Sequence, residues 1–310
     1  MLSTISKVTK SISSIPYINR VFFKVFRPVR ERLKIEKEVI SEYNSGIKIR
    51  LNLSDHLESK IFWQGVLDGD IGEFIKVNQL LESDSVFVDV GAHVGVFTLI
   101  AADLLSEGTV YSFEPLSEHH KRLKYNVNIN DFENVVMEKT IVSNSTEEKT
   151  LKVPVKKVDN NPHTKGSGSS SIYESSNSDN LVEYGVPSTK LDKYVEEKGI
   201  EKVDIIKIDV EGAELDVLNG GAKTIERFRP TVLMEVDLRL LERANRAGKD
   251  VIDFWHQRHY SVYRIEHDGS LSRISSADQL DTRQNILADP GTVRHMTDAN
   301  SQDDNRSVQL

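Results

Sequence analysis

The stretch Val86-Phe-Val-Asp-Val-Gly-Ala-His-Val-Gly95 decides the fold. Val86–Val90 is a short apolar run carrying one acid, the signature of a strand buried on both faces of a parallel sheet. Gly91 permits a sharp turn, and the apolar segment Val94–Leu105 is predicted as a helix, with Gly95 letting it lie close on the strand. A strand, a glycine turn and a helix place a helix N-terminus at the carboxyl end of a sheet strand. Free backbone N–H groups and the positive helix end attract an anion there.

The same alternation continues outward from this stretch. Strands are predicted at Val110–Phe113, Val135–Val142, Leu151–Val155, Val203–Asp209 and Thr231–Val236. Helices are predicted at His119–Asn130 and Ala213–Ile225. Tyr260–Ile265 and Asn285–Ala288 are strand candidates that would close one edge. Such β/α alternation implies an α/β fold, a doubly wound, mainly parallel sheet covered by helices on both faces.

The chain has 310 residues and no cysteine, which excludes disulfide scaffolds, Cys-ligated zinc, Fe–S clusters and thiol nucleophiles. No apolar run reaches the roughly 18 residues of a membrane-spanning helix, and the first 20 residues lack a secretory h-region. The expected setting is cytoplasmic. The net charge of −8 is uneven: residues 1–40 hold nine Lys/Arg against three Asp/Glu, a net of +6, so the rest carries −14. An acidic body argues against a nucleic-acid partner. Within residues 1–45, Ile15, Ile18, Phe22, Val25, Val29 and Leu33 recur at helical spacing, giving a basic amphipathic helical extension. Residues 12–37 suit either a peripheral contact at the membrane inner surface or a helix packed on its own domain or a twin subunit. Residues 46–290 form the expected catalytic domain, with its core at 82–288, and 291–310 a disordered tail. The Ser/Asn/Gly-rich segment Asp159–Asn180 reads as a loop, either a lid or a solvated insertion.

Ligand chemistry follows from the turn. A dinucleotide fingerprint G-x-G-x-x-G counted from Gly91 would need glycines where His93 and Val96 stand, so NAD and FAD are disfavoured. No G-K-[ST] follows, so a Walker loop is excluded. Glu114 ends the second strand 19 residues after Gly95, a place from which an acid accepts ribose hydroxyls. A nucleoside with a small anionic group and no diphosphate meets these demands, and S-adenosylmethionine is one. Its carboxylate would meet the turn at Gly91, Ala92 and Gly95, and its ammonium Asp89. His93 either hydrogen-bonds the ligand or orients the turn.

Val203-Asp-Ile-Ile-Lys-Ile-Asp-Val-Glu-Gly-Ala-Glu214 is the most specific stretch. Lys207 sits inside an apolar strand, where burial is costly unless it is paired. Asp209, Glu211 and Glu214 crowd three carboxylates around one strand end, which suits a ligand or ion site; the alternative is helix-capping acids beside an edge lysine. With this stretch, Val88–Gly95, Phe113-Glu-Pro115, Thr189-Lys-Leu-Asp192, Leu218-Asn-Gly-Gly221 and Pro230–Glu235, the chain resembles the FkbM-type methyltransferase family from roughly Glu82 to Ala288. The resemblance implies a class I methyltransferase (Rossmann-like) fold with a seven-stranded sheet and one reversed strand. It also implies S-adenosylmethionine as methyl donor and, usually, a hydroxyl of a sugar, glycan, glycolipid or related small molecule as acceptor. Asp89, Gly91, Gly95 and Glu114 match its donor-binding positions, and Asp209, Glu211 and Glu214 its acidic motif at the reaction centre. Asp209 is the expected base, with Glu211 orienting it or the acceptor. In the competing version Asp209, Glu211 and Glu235 hold a divalent metal such as Mg²⁺. Two other functions compete: a membrane-surface binding or scaffold protein without turnover, and an NAD-dependent oxidoreductase.

Overall fold

Alternation of apolar and charged side chains in Ile47-Lys-Ile-Arg-Leu51 makes a half-buried strand, and the chain's first described element is a hairpin built on it. The computed structural model describes residues 38–43, 46–53, 55, 58–59, 61–62, 80–154, 171–173, 181–266 and 269–291. In the hairpin β1 (Glu38–Tyr43) pairs antiparallel with β2 (Ile47–Asn52). Glu38–Tyr43 is therefore a strand, a correction to the helical extension over 1–45. The membrane-contact segment 12–37, residues 292–310 of the predicted tail and most of the Ser-rich loop lie outside the described residues.

The chain continues through β3 (Val86–Val90), α1 (Val96–Leu104), β4 (Thr109–Phe113), α2 (Ser117–Asn128) and β5 (Val135–Glu138). Then come β6 (Ile141–Val142), β7 (Lys149–Pro154), β8 (Leu181–Val186), β9 (Ser188–Thr189) and α3 (Leu191–Glu197). The second half holds β10 (Ile205–Ile208), α4 (Glu214–Gly220), α5 (Ala222–Phe228), β11 (Thr231–Asp237), α6 (Leu238–Arg243) and α7 (Gly248–His256). It ends with β12 (Ser261–Ile265), β13 (Leu271–Ile274) and β14 (Arg283–Asp289).

Eight strands form one sheet in the order β13-β12-β14-β11-β10-β3-β4-β5. Strands β5, β4, β3, β10 and β11 are parallel, and β14 runs antiparallel to β11. β12 pairs antiparallel with β14 and so runs with the core, while β13 is reversed beside β12. Seven of these strands, with β14 reversed, are the arrangement the resemblance implied. The eighth, β13, corrects the count and adds a second reversed strand. It forms because a turn through Gly269, at φ +81°, folds the chain back on β12.

Two predicted elements are split. Val135–Val142 leaves the main sheet after Glu138, and Ile141–Val142 pairs with β9 instead. The Ala213–Ile225 helix breaks at Gly220-Gly221, where a Cβ on Gly220 would lie 2.0 Å from the Ser143 carbonyl oxygen. Only a glycine lets these backbones approach so closely.

Alternation along the central strands sorts the core. Val88, Val90, Ile206, Ile208, Val232 and Met234 pack with Trp255 and α4 residues on one face. Phe87, Ile205 and Leu233 pack with Ala101, Ala102 and Leu105 on the other. Each fully buried aliphatic side chain contributes about 1.5–3 kcal/mol. The hairpin closes the outside of α1 and α2: Ile47, Ile49 and Leu51 pack on Leu99, Ile100, Leu123 and Val127. Asn126, fully buried on α2, fixes the junction by accepting from Arg50 N–H (2.8 Å) and donating to the Val94 carbonyl (2.9 Å).

Asn126→Ala leaves two backbone groups without partners in a buried seam, so urea unfolding is expected to show a loss of about 2 kcal/mol. A loss under 0.5 kcal/mol would mean the hairpin is held by its apolar contacts alone.

Candidate active site

The strand order reverses direction between β3 and β10, since the chain runs outward from β3 to β4 and β5, then returns to β10 on the other side. In an open α/β sheet, ligands bind in the crevice outside the carboxyl ends of strands at such a switch point. Both motifs end there. The two loops touch: Gly91, at φ +84°, faces the Asp209 carbonyl oxygen so closely that a Cβ would lie 1.8 Å from it. Gly95, at φ +94°, serves a different contact from the one its position suggested. A Cβ on it would lie 2.5 Å from Leu123 Cδ1, so it brings α2, not the strand, close to the turn.

The turn's amides are largely committed. Gly91 and Ala92 N–H both donate to the Phe113 carbonyl (3.0 Å each), and His93 N–H donates to Glu114 Oε2 (2.9 Å). The expectation that the Gly91 and Ala92 amides are free for an anion is thus corrected, because they dock the turn on the end of β4. The first turn of α1, Val96 to Thr98, has amides with no intrahelical acceptor.

Asp89 lies beneath the crevice, with no exposure. Its Oδ2 accepts from Thr98 Oγ1 (2.7 Å), and its Oδ1 lies 3.5 Å from Lys207 Nζ. The parallel register pairs Lys207 with Asp89 and sets both side chains on one face of the sheet. Lys207 Nζ also donates to the Gly91 carbonyl (2.9 Å) and lies 3.7 Å from Asp209 Oδ2. Burial disfavours its ammonium, but the charges of Asp89 and Asp209 together outweigh that, and its pKa stands above the ordinary lysine value. In this structure the Asp89 carboxylate does not reach the surface that a ligand would touch.

Glu114 is 5% exposed, and its Oε1 accepts from Leu116 N–H (2.8 Å) and lies 3.7 Å from His119 Nδ1. His93 adopts φ +52°, and its ring stands edge-on to His119 with centroids 4.1 Å apart. Its Nε2 is buried with no hydrogen-bond partner. Burial first, then the neighbouring His119, holds its pKa well below the usual histidine value, so the ring is neutral.

Asp209, Glu211 and Glu235 meet on the β10–β11 side, each presenting a carboxylate oxygen within 4.8 Å of the others. Asp209 follows β10, Glu211 sits in the next turn at φ +53°, and Glu235 stands on β11. Arg283 on β14 binds Glu235 through Nε and Nη2 at 2.6 Å. The sequence motifs did not point to Arg283; its register opposite Asp237, two positions from Glu235 and on the same face of β11, brings it there. Burial, followed by the charges of Asp209 and Glu235, pushes the Glu211 pKa up to about 8. Burial and Asp209 raise Glu235, against the pull of Arg283. Glu214 stays apart from this trio. It is 3% exposed, and its Oε1 accepts from Gly212 N–H (2.9 Å), the capping-acid alternative for this residue. Burial raises its pKa to about 7.

Residues 89–262 match the family described as the methyltransferase FkbM domain. The chain belongs to that family. Among curated relatives, the AMB antimetabolite synthetase AmbE of Pseudomonas aeruginosa is 25% identical over 254 residues, which is 72% of this chain and 11% of AmbE. The 2-O-methyltransferase NoeI of Sinorhizobium fredii is 43% identical over 44 residues, 14% of this chain and 18% of NoeI. Methyltransferase 1 of Beauveria bassiana is 25% identical over 154 residues, 44% of this chain and 58% of its own. The FkbM-family chain thus matches less than two thirds of each relative's length. Among solved structures, FkbM from Methylobacillus flagellatus KT matches 68% of this chain and 45% of its own at 15% identity, with a TM-score of 0.41. TYW2 of M. jannaschii, in complex with AdoMet, matches 82% and 84% at 14% identity, with a TM-score of 0.42.

The raised acids give this FkbM-family chain a pH signature. A carboxyl whose native pKa exceeds its unfolded value leaves the native state holding more protons between the two, so stability falls as pH rises through that interval. For Glu211 the interval runs from 4.5 to about 8. Thermal midpoints are expected to fall from pH 5 to pH 8, and Glu211→Gln is expected to flatten that fall. An unchanged slope in the variant would remove the crowding account of Glu211.

Proposed function

We propose that this FkbM-family chain is an S-adenosylmethionine-dependent O-methyltransferase acting on a hydroxyl of a sugar, glycan, glycolipid or related small molecule. The observation that carries it is the Asp209–Glu211–Glu235 trio at the switch point, with one member's proton affinity raised to about 8. An alcohol oxygen is a poor nucleophile until it loses its proton, and a general base works best with a pKa near the working pH. Glu211 fits that role better than an ordinary carboxylate. Asp209 sits beside it to orient the acceptor hydroxyl. NoeI, a 2-O-methyltransferase, supports the choice of a hydroxyl acceptor over its short match.

The donor fits the other side of the crevice. The orphaned His93 Nε2, the Glu114 carboxylate and the first turn of α1 offer a polar cradle with the turn at its centre. Glu114 would take the ribose hydroxyls, and His93 and the α1 amides the polar groups of the amino-acid end. Asp89 would act from below, holding Lys207 and through it the Gly91 carbonyl. When bound, the donor supplies a methyl carbon already activated by a sulfonium. The chain's own residues then have to align the acceptor oxygen and accept its proton, and alignment alone can supply about 7–11 kcal/mol. A dinucleotide fits poorly, because His93 stands where the fingerprint's second glycine would let a pyrophosphate approach bare backbone.

The trio's all-oxygen donor set also suits Mg²⁺, which would lower the acceptor's pKa. Lys207 and Arg283 already bring two positive charges to these carboxylates, which favours the base over the metal.

Calorimetry is expected to show S-adenosylmethionine binding, weakened about 10–100-fold in Glu114→Gln by loss of a charged acceptor. Transfer of labelled methyl to a panel of p-nitrophenyl glycosides should fall about 10²–10⁴-fold in Glu211→Gln with donor affinity unchanged. EDTA is expected to leave transfer intact; loss with EDTA and recovery with Mg²⁺ would select the metal version. Full turnover in both Glu211→Gln and Asp209→Asn would end the proposal.

A further inference from the structure

The Glu211–Gly212 peptide is held from both sides. Its carbonyl accepts from Ser171 Oγ (2.8 Å), and its N–H donates to Glu214 Oε1 (2.9 Å). The peptide needs holding. Glu211 at φ +53° and Gly212 at φ +101° are successive left-handed residues, and the first bears a Cβ that this region disfavours. Such a conformation persists where surrounding contacts over-determine it.

Ser171 is itself braced. Its N–H and carbonyl exchange hydrogen bonds with Lys152 on β7 (3.1 and 2.8 Å). Its Oγ also accepts from Tyr173 N–H (3.2 Å). Tyr173 Oη donates to Asp216 on α4, a buried carboxylate that also takes Asn144 Nδ2 (3.0 Å) and faces Arg246 Nη2 (3.6 Å). The hydroxyl that meets Glu211 is therefore fixed to a strand on one side and to a helix on the other.

We propose that Ser171 is a positioning residue: its hydroxyl locks the Glu211–Gly212 peptide so that the Glu211 carboxylate stays within reach of Asp209 and Glu235. Without that hold Glu211 is free to leave φ +53° for the favoured right-handed or extended regions, and the change in φ would swing its side chain off the trio. Ser171 touches no reacting group and works through the backbone alone. The catalytic consequence rests on the reading of Glu211 as the base, while the positioning itself does not.

The test uses the full chain. Amide hydrogen exchange at Gly212, followed by NMR, is expected to quicken at least tenfold in Ser171→Ala. Ser171→Thr, which keeps the hydroxyl, restores wild-type protection. In the glycoside assay Ser171→Ala lowers kcat at least tenfold with the KM for S-adenosylmethionine within twofold, and Ser171→Thr recovers it. Tyr173→Phe cuts the brace to Asp216 but leaves Ser171, and gives intermediate exchange at Gly212. Wild-type exchange in both Ser171→Ala and Tyr173→Phe overturns the proposal, as does a Ser171→Thr variant as loose as the alanine. Loosened Gly212 in Ser171→Ala together with full turnover in Glu211→Gln supports the lock and removes only the base reading.

Discussion

One buried ammonium joins the two halves of the sheet where ligands are expected. Lys207 stands between Ile206 and Ile208 on a strand buried along its whole length, and it contacts Asp89, the Gly91 carbonyl and Asp209. Two of those partners lie on the first half of the fold and one on the second. Loss of the lysine would leave Asp89 as an uncompensated buried charge, a change that costs about 3–5 kcal/mol in comparable pairs. It would also free the Gly91 carbonyl. Gly91 has no room to shift toward Asp209, so the turn's path depends on the lysine below and the carbonyl beside it.

That arrangement explains how the carboxylates divide their roles. Asp209 has Lys207 as a neighbour, and Glu235 has Arg283. Glu214 is taken up by the Gly212 amide. Glu211 has no cation within salt-bridge distance among the described residues, and it feels three carboxylates, those of Asp209, Glu235 and Glu214, while Arg283 counters them at longer range. Both glutamates of the trio are therefore raised, and Glu211 is the one without a directly paired cation. Sites that must move a proton near neutral pH are built by pushing the pKa values of adjacent acids apart in this way.

The central strands were legible because burial on both faces writes continuous apolar runs into the sequence. So were the two motifs and the family they resemble. What composition and spacing did not reveal was register. That Lys207 would need a partner followed from its apolar neighbours, but its choice of Asp89 depends on how β10 slides along β3. For the same reason the sequence did not show that Asp89 is a buried counter-ion of Lys207. Arg283 reaches Glu235 only through the reversed pairing of β14 with β11. The hairpin's Ile47, Ile49 and Leu51 did carry a period-two signal, brief enough to be overshadowed by the basic helical spacing before it. Helices α6 and α7 are short, and Arg239, Glu242, Arg243, Lys249 and Asp250 crowd their apolar stripe.

The turn from Gly91 to Gly95 is the wall common to both sides of the crevice. On one side its amides bind the end of β4, next to Glu114; on the other its first glycine abuts Asp209. The proposed donor side is thus assembled from β3, β4 and the start of α1, all contiguous in sequence. The acid side draws on β10, β11 and β14, and on Ser171 from between β7 and β8. Contacts within the first group are short-range and intolerant of side-chain volume at the glycines. Contacts within the second pass through long connections, where changes in length cost little closure entropy. A fold divided in this way can vary its acid side through the segments around β7 and β8 while the turn on the proposed donor side stays fixed.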